Sequence, residues 1–370
     1  MKFGPTAKTL LRWVRMLTLQ LAIAAALLLL LEGAASFRAA WKRINWGARA
    51  DLRPTAESIH TNYDPLLGWI SRPGHYTNLY GEGRDLTIEP DGARLTPSDD
   101  MPPPSLRVVA SGDSFTMGYG VGDDQTWVAH LENQHPALDI KNLGLGGYGL
   151  GQAFLRYQRD GVKLPHDLHL FAYITENFRR AGRDRFMGYG KPVVTVEDGE
   201  LAVENVPPPR RRHSPLFQIR YGAAIQELQI IRWLTAGAAE RLNAERTARQ
   251  KNIQRVAHAI FNELHELHEE NGRTGVFIHF PVESDYSDGD SNGWRHWMRE
   301  EARSNNWHFV DLVPTLRALP RDQVRDLFIQ DDTDRFRGAK GHYTELGNAL
   351  MARTLLDELL RRGLVPPATL

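Results

Sequence analysis

Short apolar runs alternate with amphipathic stretches over residues 106–362. The apolar runs have the length of buried strands and fall at residues 108–111, 140–144, 168–174, 275–281 and 307–312. Apolar residues at helical spacing occupy the intervals at 125–134, 154–159, 217–271, 294–305 and 344–363. This alternation predicts an α/β domain in which a parallel sheet carries helices on both faces.

A much longer apolar run lies near the N-terminus. It covers residues 16–31, and small residues extend it to about Phe37, which approaches the roughly 20 residues needed to cross a bilayer. We therefore expect a short cytoplasmic N-terminus over residues 1–15 and a transmembrane anchor over residues 16–37. A cleaved signal peptide, for which Ala34-Ala35-Ser36 offers small residues, and a buried core helix stay open as alternatives.

Basic residues on both sides of this run leave its orientation open on charge alone. Four precede it and four follow it, namely Lys2, Lys8, Arg12 and Arg15, then Arg38, Lys42, Arg43 and Arg49. A short N-terminal anchor usually leaves the large domain outside. We therefore expect a single-pass inner-membrane protein whose main domain, residues 105–370, lies on the periplasmic or extracytoplasmic side.

Residues 38–104 interrupt the alternation of strands and helices. From about Trp46 onward they are rich in Gly, Pro, Tyr and polar residues, which predicts an extended linker with small strands that packs on the main domain. Three aromatic residues in it, Trp69, Tyr76 and Tyr80, could line a sugar site. Aromatic residues in such segments more often cover core surface, and this is the interpretation we favour.

We predict that residues 185–271 form an insertion into the main domain. Two β-branched stretches, 193–196 and 201–203, flank Glu-Asp-Gly-Glu and indicate a hairpin. The part from about residue 217 is largely helical. Its His265 and His268 lack the four-residue offset of a two-histidine zinc pattern, so we expect both to lie on the surface.

Composition and charge narrow the classes of function. The 370 residues carry 45 Lys and Arg against 45 Asp and Glu. Residues 1–43 hold seven basic residues and one acid, which leaves 38 basic and 44 acidic residues, or six net negative charges, in the remainder. That balance argues against a nucleic-acid partner. Because cysteine is absent, disulfides, cysteine-based zinc sites and thiol nucleophiles are excluded.

Three polar residues occupy positions where an open parallel sheet gathers its loops. Ser114 stands in Gly-Asp-Ser just after one predicted strand, Asn177 follows another, and His342 precedes the last helix. A serine hydroxyl needs a base to become a nucleophile at neutral pH, and His342 is the candidate base. The Ser114 amide, a glycine amide and the Asn177 side chain are candidate donors to an oxyanion.

In four blocks the sequence resembles the SGNH, or GDSL-type, hydrolase superfamily. The blocks are Gly112-Asp113-Ser114, the run Asn142-Leu143-Gly144-Leu145-Gly146-Gly147, Asn177, and His342. The resemblance implies the SGNH hydrolase fold, a flavodoxin-like three-layer α/β/α arrangement, over about residues 106–362. It also implies that Gly147 supplies an oxyanion-hole amide and that the reaction needs no metal or organic cofactor.

The chain departs from the family pattern at two places. The third block usually reads Gly-X-Asn-Asp, and here Thr175 and Phe178 stand at the outer positions. The family's acid commonly lies three residues before the histidine, where this chain has Ala339. Either a nearby acid orients the imidazole or the site is a Ser-His dyad with backbone support. The candidate acids are Asp331, Asp332 and Asp334.

The function we favour is a serine esterase or deacylase acting on an acylated small molecule or polysaccharide, with O-acetyl groups of an envelope or exported polysaccharide as the substrate. The anchor, Leu67-Gly68-Trp69 and Gly341-His342-Tyr343 are similar to a membrane-anchored, polysaccharide-associated bacterial branch. One alternative is a polysaccharide O-acetyltransferase, which passes the same acyl group to a sugar hydroxyl. Another is a catalytically weak glycan-binding component that acts with polysaccharide-assembly proteins.

A run of arginines follows Asn177 closely. Arg179, Arg180, Arg183 and Arg185 could hold an anionic glycan near Ser114. A solvated loop is the alternative for such a charge run, and the sequence alone leaves both open.

Overall fold

The computed structural model describes residues 5–52, 59–97, 106–187, 189–209, 239–287, 289–331 and 338–367. The chain divides into two compact units. One comprises Met1–Arg53 and Arg212–Ala248, and the other comprises Pro54–Arg211 and Arg249–Leu370.

The first unit contains helix α1, Pro5–Leu52. Its segment Thr9–Arg38 is long and apolar enough to cross a membrane, and none of the residues in its most apolar part is buried by the rest of the protein. The helix continues through residues 38–52, where the sequence pattern predicted an extended linker. Ala, Arg and Lys are frequent there and proline is absent until Pro54, so helix-forming residues run on past the apolar stretch.

The second unit is built around five strands, β5 Leu106–Ser111, β6 Leu138–Asn142, β7 Leu168–Tyr173, β12 Thr274–His279 and β13 His308–Asp311. They form one sheet in the order β13-β12-β7-β5-β6, with every neighbouring pair parallel. Numbered along the chain, this is the 2-1-3-4-5 order of flavodoxin-like folds. The predicted fold class is therefore confirmed.

Short antiparallel pairs accompany the central sheet. They are β1 Thr61–Asp64 with β2 Gly68–Ser71, β3 Gly74–Tyr76 with β4 Leu86–Ile88, β8 Arg185–Phe186 with β9 Tyr189–Gly190, and β10 Val193–Glu197 with β11 Glu200–Glu204. The last pair is the hairpin that the sequence predicted. Trp69 and Tyr80 are buried, so they cover the core as the favoured interpretation expected.

Helices cover both faces of the sheet. They are α2 Ser114–Met117, α3 Trp127–Gln134, α4 Leu150–Arg159, α5 Thr175–Ala181, α6 Ala239–Glu270, α7 Asp290–Ser304, α8 Val313–Arg317, α9 Arg321–Asp326 and α10 Glu345–Arg361. Alternate strand residues enter two different cores. Val109, Phe171 and Phe277 pack with α4, α6 and α7. Val108, Leu170 and Ile278 pack with α3, α8, α9 and α10, which completes the three layers.

His268 lies in the core, which corrects the prediction that it is a surface residue. Its Nε2 atom is 2.8 Å from Nδ1 of His169, whose own Nε2 is 2.6 Å from Oγ of Ser111. The ring of Tyr157 stacks on His169 with centroids 3.5 Å apart. Helical spacing did not reveal this, because the hydrogen-bond partners come from β5 and β7. His265, in contrast, keeps a partly exposed side chain near Glu269.

His166, whose Nε2 lies 2.9 Å from the Tyr157 hydroxyl, belongs to the same cluster as His169 and His268, and burial keeps all three histidines neutral. It lowers the pKa of His166 to about 4 and that of His268 to about 3, and it holds the pKa of His169 well below the ordinary value of 6.5. The unfolded chain would take up these protons near pH 6.5, so below that pH it binds more protons than the folded chain. The free energy of unfolding should therefore fall as the pH decreases from about 6.5.

We expect each of these histidines to cost about 1 kcal/mol of unfolding free energy per pH unit below roughly pH 5.5. Urea unfolding of the detergent-solubilised chain at pH 7.5 and pH 5 measures this loss. His268→Gln should reduce the loss, whereas the matched His265→Gln should leave it in place. Equal pH dependence in both variants would contradict the assignment.

Candidate active site

Ser114 is held at a sharp turn between β5 and α2. Asp113 precedes the helix with extended backbone, and its Oδ1 accepts a hydrogen bond of 2.9 Å from the Phe115 amide. Gly118 ends the helix in the left-handed conformation, with φ of 82°. A helix of four residues that begins at the nucleophile leaves the Ser114 amide without an intrahelical acceptor, so it is available as an oxyanion donor.

Two glycines allow the loops to approach this turn closely. A Cβ atom on Gly112 would collide with the Thr116 hydroxyl and the Ala172 carbonyl. A Cβ atom on Gly144 would collide with the backbone of α2 at Met117. The glycines after β5 and β6 are thus required by the space between the loops as well as by turn chemistry.

His342 is brought to Ser114 from the other end of the chain. Its Nε2 atom lies 2.7 Å from Ser114 Oγ, and its Nδ1 atom lies 3.1 Å from the Ala339 carbonyl oxygen. Because a carbonyl only accepts hydrogen bonds, Nδ1 carries the proton and Nε2 is the acceptor for the serine hydroxyl. This is the tautomer that a general base requires.

The Ala339 carbonyl occupies a place where the family pattern has an acid. Ala339 is itself buried, and its carbonyl also accepts from the His342 backbone amide at 3.0 Å. Among the candidate acids, Asp331 has an exposed side chain. Asp332 and Asp334 lie outside the described residues. The contact to Ala339 is compatible with backbone support of the imidazole, and the choice between that support and one of these acids stays a prediction.

Aromatic rings enclose the imidazole of His342. The ring of Phe115 lies 4.8 Å from it and that of Tyr119 lies 5.3 Å from it, centroid to centroid. Both rings belong to the segment that follows the nucleophile. They restrict the imidazole to the orientation that faces Ser114.

Asn177 ties the loops after β5, β6 and β7 together. Its Nδ2 donates to Asp113 Oδ2 at 2.9 Å and to the Tyr148 carbonyl at 3.0 Å, and its Oδ1 accepts from the Ile174 amide at 2.7 Å. Both amide hydrogens are therefore engaged. Donation to an oxyanion requires one of these bonds to be exchanged, so that role of Asn177 remains a prediction.

Gly147, the predicted oxyanion donor, lies in an aromatic setting. Its φ of +79° is in the left-handed region, and a Cβ atom there would be 2.6 Å from the ring of Phe186. Trp69 donates its indole N–H to the neighbouring Gly146 carbonyl at 2.9 Å, and the Tyr148 hydroxyl donates to the Trp69 carbonyl at 2.7 Å. The segment containing β2 and the hairpin β8–β9 thus hold the glycine loop from two sides.

The third-block departures have structural explanations. Phe178, which replaces the family's Asp, stacks on Trp294 with centroids 4.5 Å apart and is buried. Thr175 Oγ1 lies 3.0 Å from Nε2 of the buried His279. Both positions are therefore occupied by core contacts in this chain.

The predicted arginine run divides into buried and exposed members. Arg180 has a side chain only 13% exposed and faces Asp113, which corrects its prediction as a glycan-holding surface residue. Arg179, Arg183 and Arg185 have side chains 42%, 47% and 41% exposed, and the first two approach Glu176. For these exposed arginines the glycan-binding role stays an untested prediction. Within the described ranges, no group of three or more His, Asp and Glu side chains is arranged to hold a metal ion.

Sequence reasoning missed two buried arginines that hold the site loops. Arg94 donates through Nη1 to the Met117 and Gly118 carbonyls at 2.8 and 2.6 Å, and its Nε lies 2.9 Å from Asp123 Oδ1. Arg156 donates to the Leu143 carbonyl at 2.8 Å. No local pattern distinguishes them from surface arginines, because their acceptors lie in distant loops.

We expect Arg94→Met to lower the free energy of unfolding by about 3–5 kcal/mol, because it leaves the Asp123 carboxylate buried without its partner. Urea unfolding of the full chain in detergent measures this effect. Asp123→Asn combined with Arg94→Met should recover part of the loss, since the orphaned charge is then removed as well. A double variant no more stable than Arg94→Met would contradict this account.

No family model matches the chain, and the curated proteins give no match. Among solved structures, the chain is similar to a lipolytic protein of the G-D-S-L family from Veillonella parvula DSM 2008, with 14% identity, 69% of this chain and 98% of that chain covered, and a TM-score of 0.41.

Two further solved structures cover similar shares of the chain. A lipase/acylhydrolase from Enterococcus faecalis has 13% identity, covers 70% of this chain and 96% of its own, and gives a TM-score of 0.40. A catalytic mutant of an acetylxylan esterase from Geobacillus stearothermophilus has 11% identity, with coverage of 70% and 96% and a TM-score of 0.40. Likenesses with identities and TM-scores this low assign no roles to Ser114 and His342. Those roles must be inferred from the geometry of the two residues in this chain.

Proposed function

We propose that the protein is a serine esterase in which Ser114 is the nucleophile and His342 is the general base. The observation that carries the proposal is the 2.7 Å contact between Ser114 Oγ and His342 Nε2, across 228 positions of sequence. The proposed nucleophile Ser114 thus contacts the base His342, and His342 in turn contacts the Ala339 carbonyl that orients it. The four sequence blocks that resemble SGNH hydrolases support the same assignment.

The reaction follows from this arrangement. Ser114 Oγ attacks the carbonyl carbon of the ester while His342 Nε2 takes the hydroxyl proton. The Ala339 carbonyl supports the resulting imidazolium by accepting from Nδ1. The imidazolium then gives the proton to the departing alkoxide, which leaves an acyl-serine. Water, deprotonated by the same nitrogen, attacks this acyl group and releases the acid and the free serine.

The oxyanion formed in each half-reaction needs donors placed in advance. The Ser114 amide at the start of α2 is one donor, and the Gly147 amide is the second that the resemblance implies. Both lie in loops held by buried hydrogen bonds, through Asp113 and Arg94 on one side and Trp69 on the other. Such bracing is what keeps an oxyanion site from reorganising during the reaction.

For the substrate, we propose O-acetyl groups of an envelope or exported polysaccharide. The resemblance to a polysaccharide-associated branch and the membrane-length apolar helix support this choice. The exposed Arg179 and Arg183 would face an anionic glycan. The same acyl-serine could be resolved by a sugar hydroxyl instead of water, so adding glycan acceptors to the assay distinguishes transfer from hydrolysis.

Ser114→Ala and His342→Ala should each lower the turnover of a chromogenic acetyl ester by about 10⁴-fold or more, because nucleophile and base act as a unit. The full chain in detergent should also react with a fluorophosphonate probe, and Ser114→Ala should abolish that labelling.

The exposed residues Ser284 and His296 provide matched controls, since Ser284→Ala and His296→Ala remove the same side-chain types elsewhere. Both should retain labelling and turnover. A folded wild-type chain that neither labels nor hydrolyses any acyl ester would refute the serine-esterase proposal.

The absence of cysteine makes the proposed membrane topology directly measurable. With the main domain outside the cytoplasm, Glu82→Cys should react with a membrane-impermeant maleimide in intact cells, because Glu82 is exposed in the second unit. Ala7→Cys should react only after permeabilisation. The reverse pattern would place the main domain inside. Loss of residue 7 from the mature chain would indicate a cleaved signal peptide.

A further inference from the structure

A buried ion pair lies directly behind the nucleophile turn. Asp113, the residue before Ser114, is 2% exposed, and its Oδ2 atom is 3.7 Å from Nη1 of Arg180. The same carboxylate accepts from the Phe115 amide and from Asn177 Nδ2, both at 2.9 Å. An ionised carboxylate this deeply buried needs a compensating positive charge, and Arg180 is placed to supply it.

Arg180 also reaches the loop that carries Gly147. Its Nη1 donates to the Tyr148 carbonyl at 3.2 Å, and its guanidinium carbon lies 4.7 Å from the centre of the Phe186 ring. The Tyr148 carbonyl is also the second acceptor of Asn177. One guanidinium thus joins the nucleophile turn, the glycine loop and the hairpin β8–β9.

The charges around this pair act in opposite directions. Burial raises the pKa of Asp113 and outweighs Arg180 and the hydrogen bonds from Asn177 and Phe115, which lower it, so this pKa lies above its ordinary value. Among the described residues, Tyr343 also senses the Asp113 carboxylate. Around Arg180, burial lowers its pKa, Asp113 and Glu176 raise it, and Arg183 lowers it. The buried Lys191 donates through Nζ to the Arg180 carbonyl at 2.8 Å, and burial together with Arg180 lowers the pKa of Lys191 to about 7.

We propose that Arg180 is a positioning residue that keeps Asp113 ionised and thereby holds the Ser114 turn against the Gly147 loop. The inference rests on the proposed esterase function and adds to it a charged group outside the four blocks of the resemblance. Protonated Asp113 would present a hydroxyl where the Asn177 and Arg180 donors converge. The turn would then lose the contact that fixes it to its neighbours.

Removing Arg180 should change the pH dependence of kcat/KM in one direction. Without Arg180, the buried Asp113 carboxyl keeps the desolvation that raises its pKa and loses the charge that opposes it, so it takes up a proton at higher pH than in the wild type. Arg180→Gln should therefore move the acid limb of the kcat/KM profile upward by about one pH unit or more. The limb should also become steeper, since Asp113 and His342 would each bind a proton there.

The experiment compares variants of the full chain in detergent with a neutral acetyl ester. In the double variant Asp113→Asn with Arg180→Gln, the steep limb should disappear, because no carboxyl remains to titrate. Arg180→Lys keeps the charge and should restore the position of the limb. Arg295→Gln is the matched control: it removes a buried arginine 2.9 Å from the partly buried Asp311, which keeps Arg299 as a second partner, and it should leave the limb in place.

Arg180→Gln lowering kcat/KM equally at all pH values would show a merely structural role and overturn the proposal. An unshifted profile with full activity would also overturn it. Urea unfolding in the Ser114→Ala background gives a readout that does not need turnover. With Arg180 removed, folded Asp113 binds a proton at a pH where the unfolded chain does not, so the free energy of unfolding lost by Arg180→Gln should be largest above the raised Asp113 pKa and should shrink as the pH falls. If the wild-type chain hydrolyses no ester but Arg180→Gln shows this pH dependence of stability, the esterase proposal fails while the Arg180–Asp113 pairing stands. A loss of stability that does not change with pH refutes the pairing in either case.

Discussion

The parallel register of β5 with its two neighbours is the constraint on which the candidate site depends. Ala110 pairs with Asn142 on one side and with Leu170 on the other, so the carboxyl ends of β5, β6 and β7 meet at one edge. The loops that leave these ends must share a small volume. Ser114, Gly147 and Asn177 come from those three loops, and His342 then needs to approach from only one further direction.

Loops packed this tightly must satisfy their own backbone. A carbonyl that loses water needs another donor, and a buried arginine can supply several from one side chain. Arg94 does this for the turn after α2, and Arg156 does it at Leu143 in the glycine loop. The polar core beneath the candidate nucleophile is therefore a scaffold whose donors and acceptors are fixed before any substrate arrives.

Part of the fold and of the candidate site could be predicted from residues that are neighbours in sequence. The strand runs, the Gly-Asp-Ser turn and the last helix depend on neighbours in sequence, so Ser114 and His342 could be paired as hypotheses from the sequence alone. The burial of Arg94 and His268 and the inward orientation of Arg180 depend on partners far along the chain, which a single sequence does not reveal. Helix α1 was predicted too short because only its apolar part was counted, while helix-forming polar residues carry it to Leu52.

The close approach at Gly112 and Gly144 limits how the specificity of this protein can change. A side chain at either position would collide with backbone atoms, so substitutions that preserve the fold must occur at other residues around the site. The hairpin β8–β9 provides such residues, because Phe186 lies on Gly147 and the neighbouring Met187 is 38% exposed. Substitutions at the exposed Met187 would change the surface of this hairpin while Phe186 stays packed on Gly147 and the nucleophile and its base stay where they are.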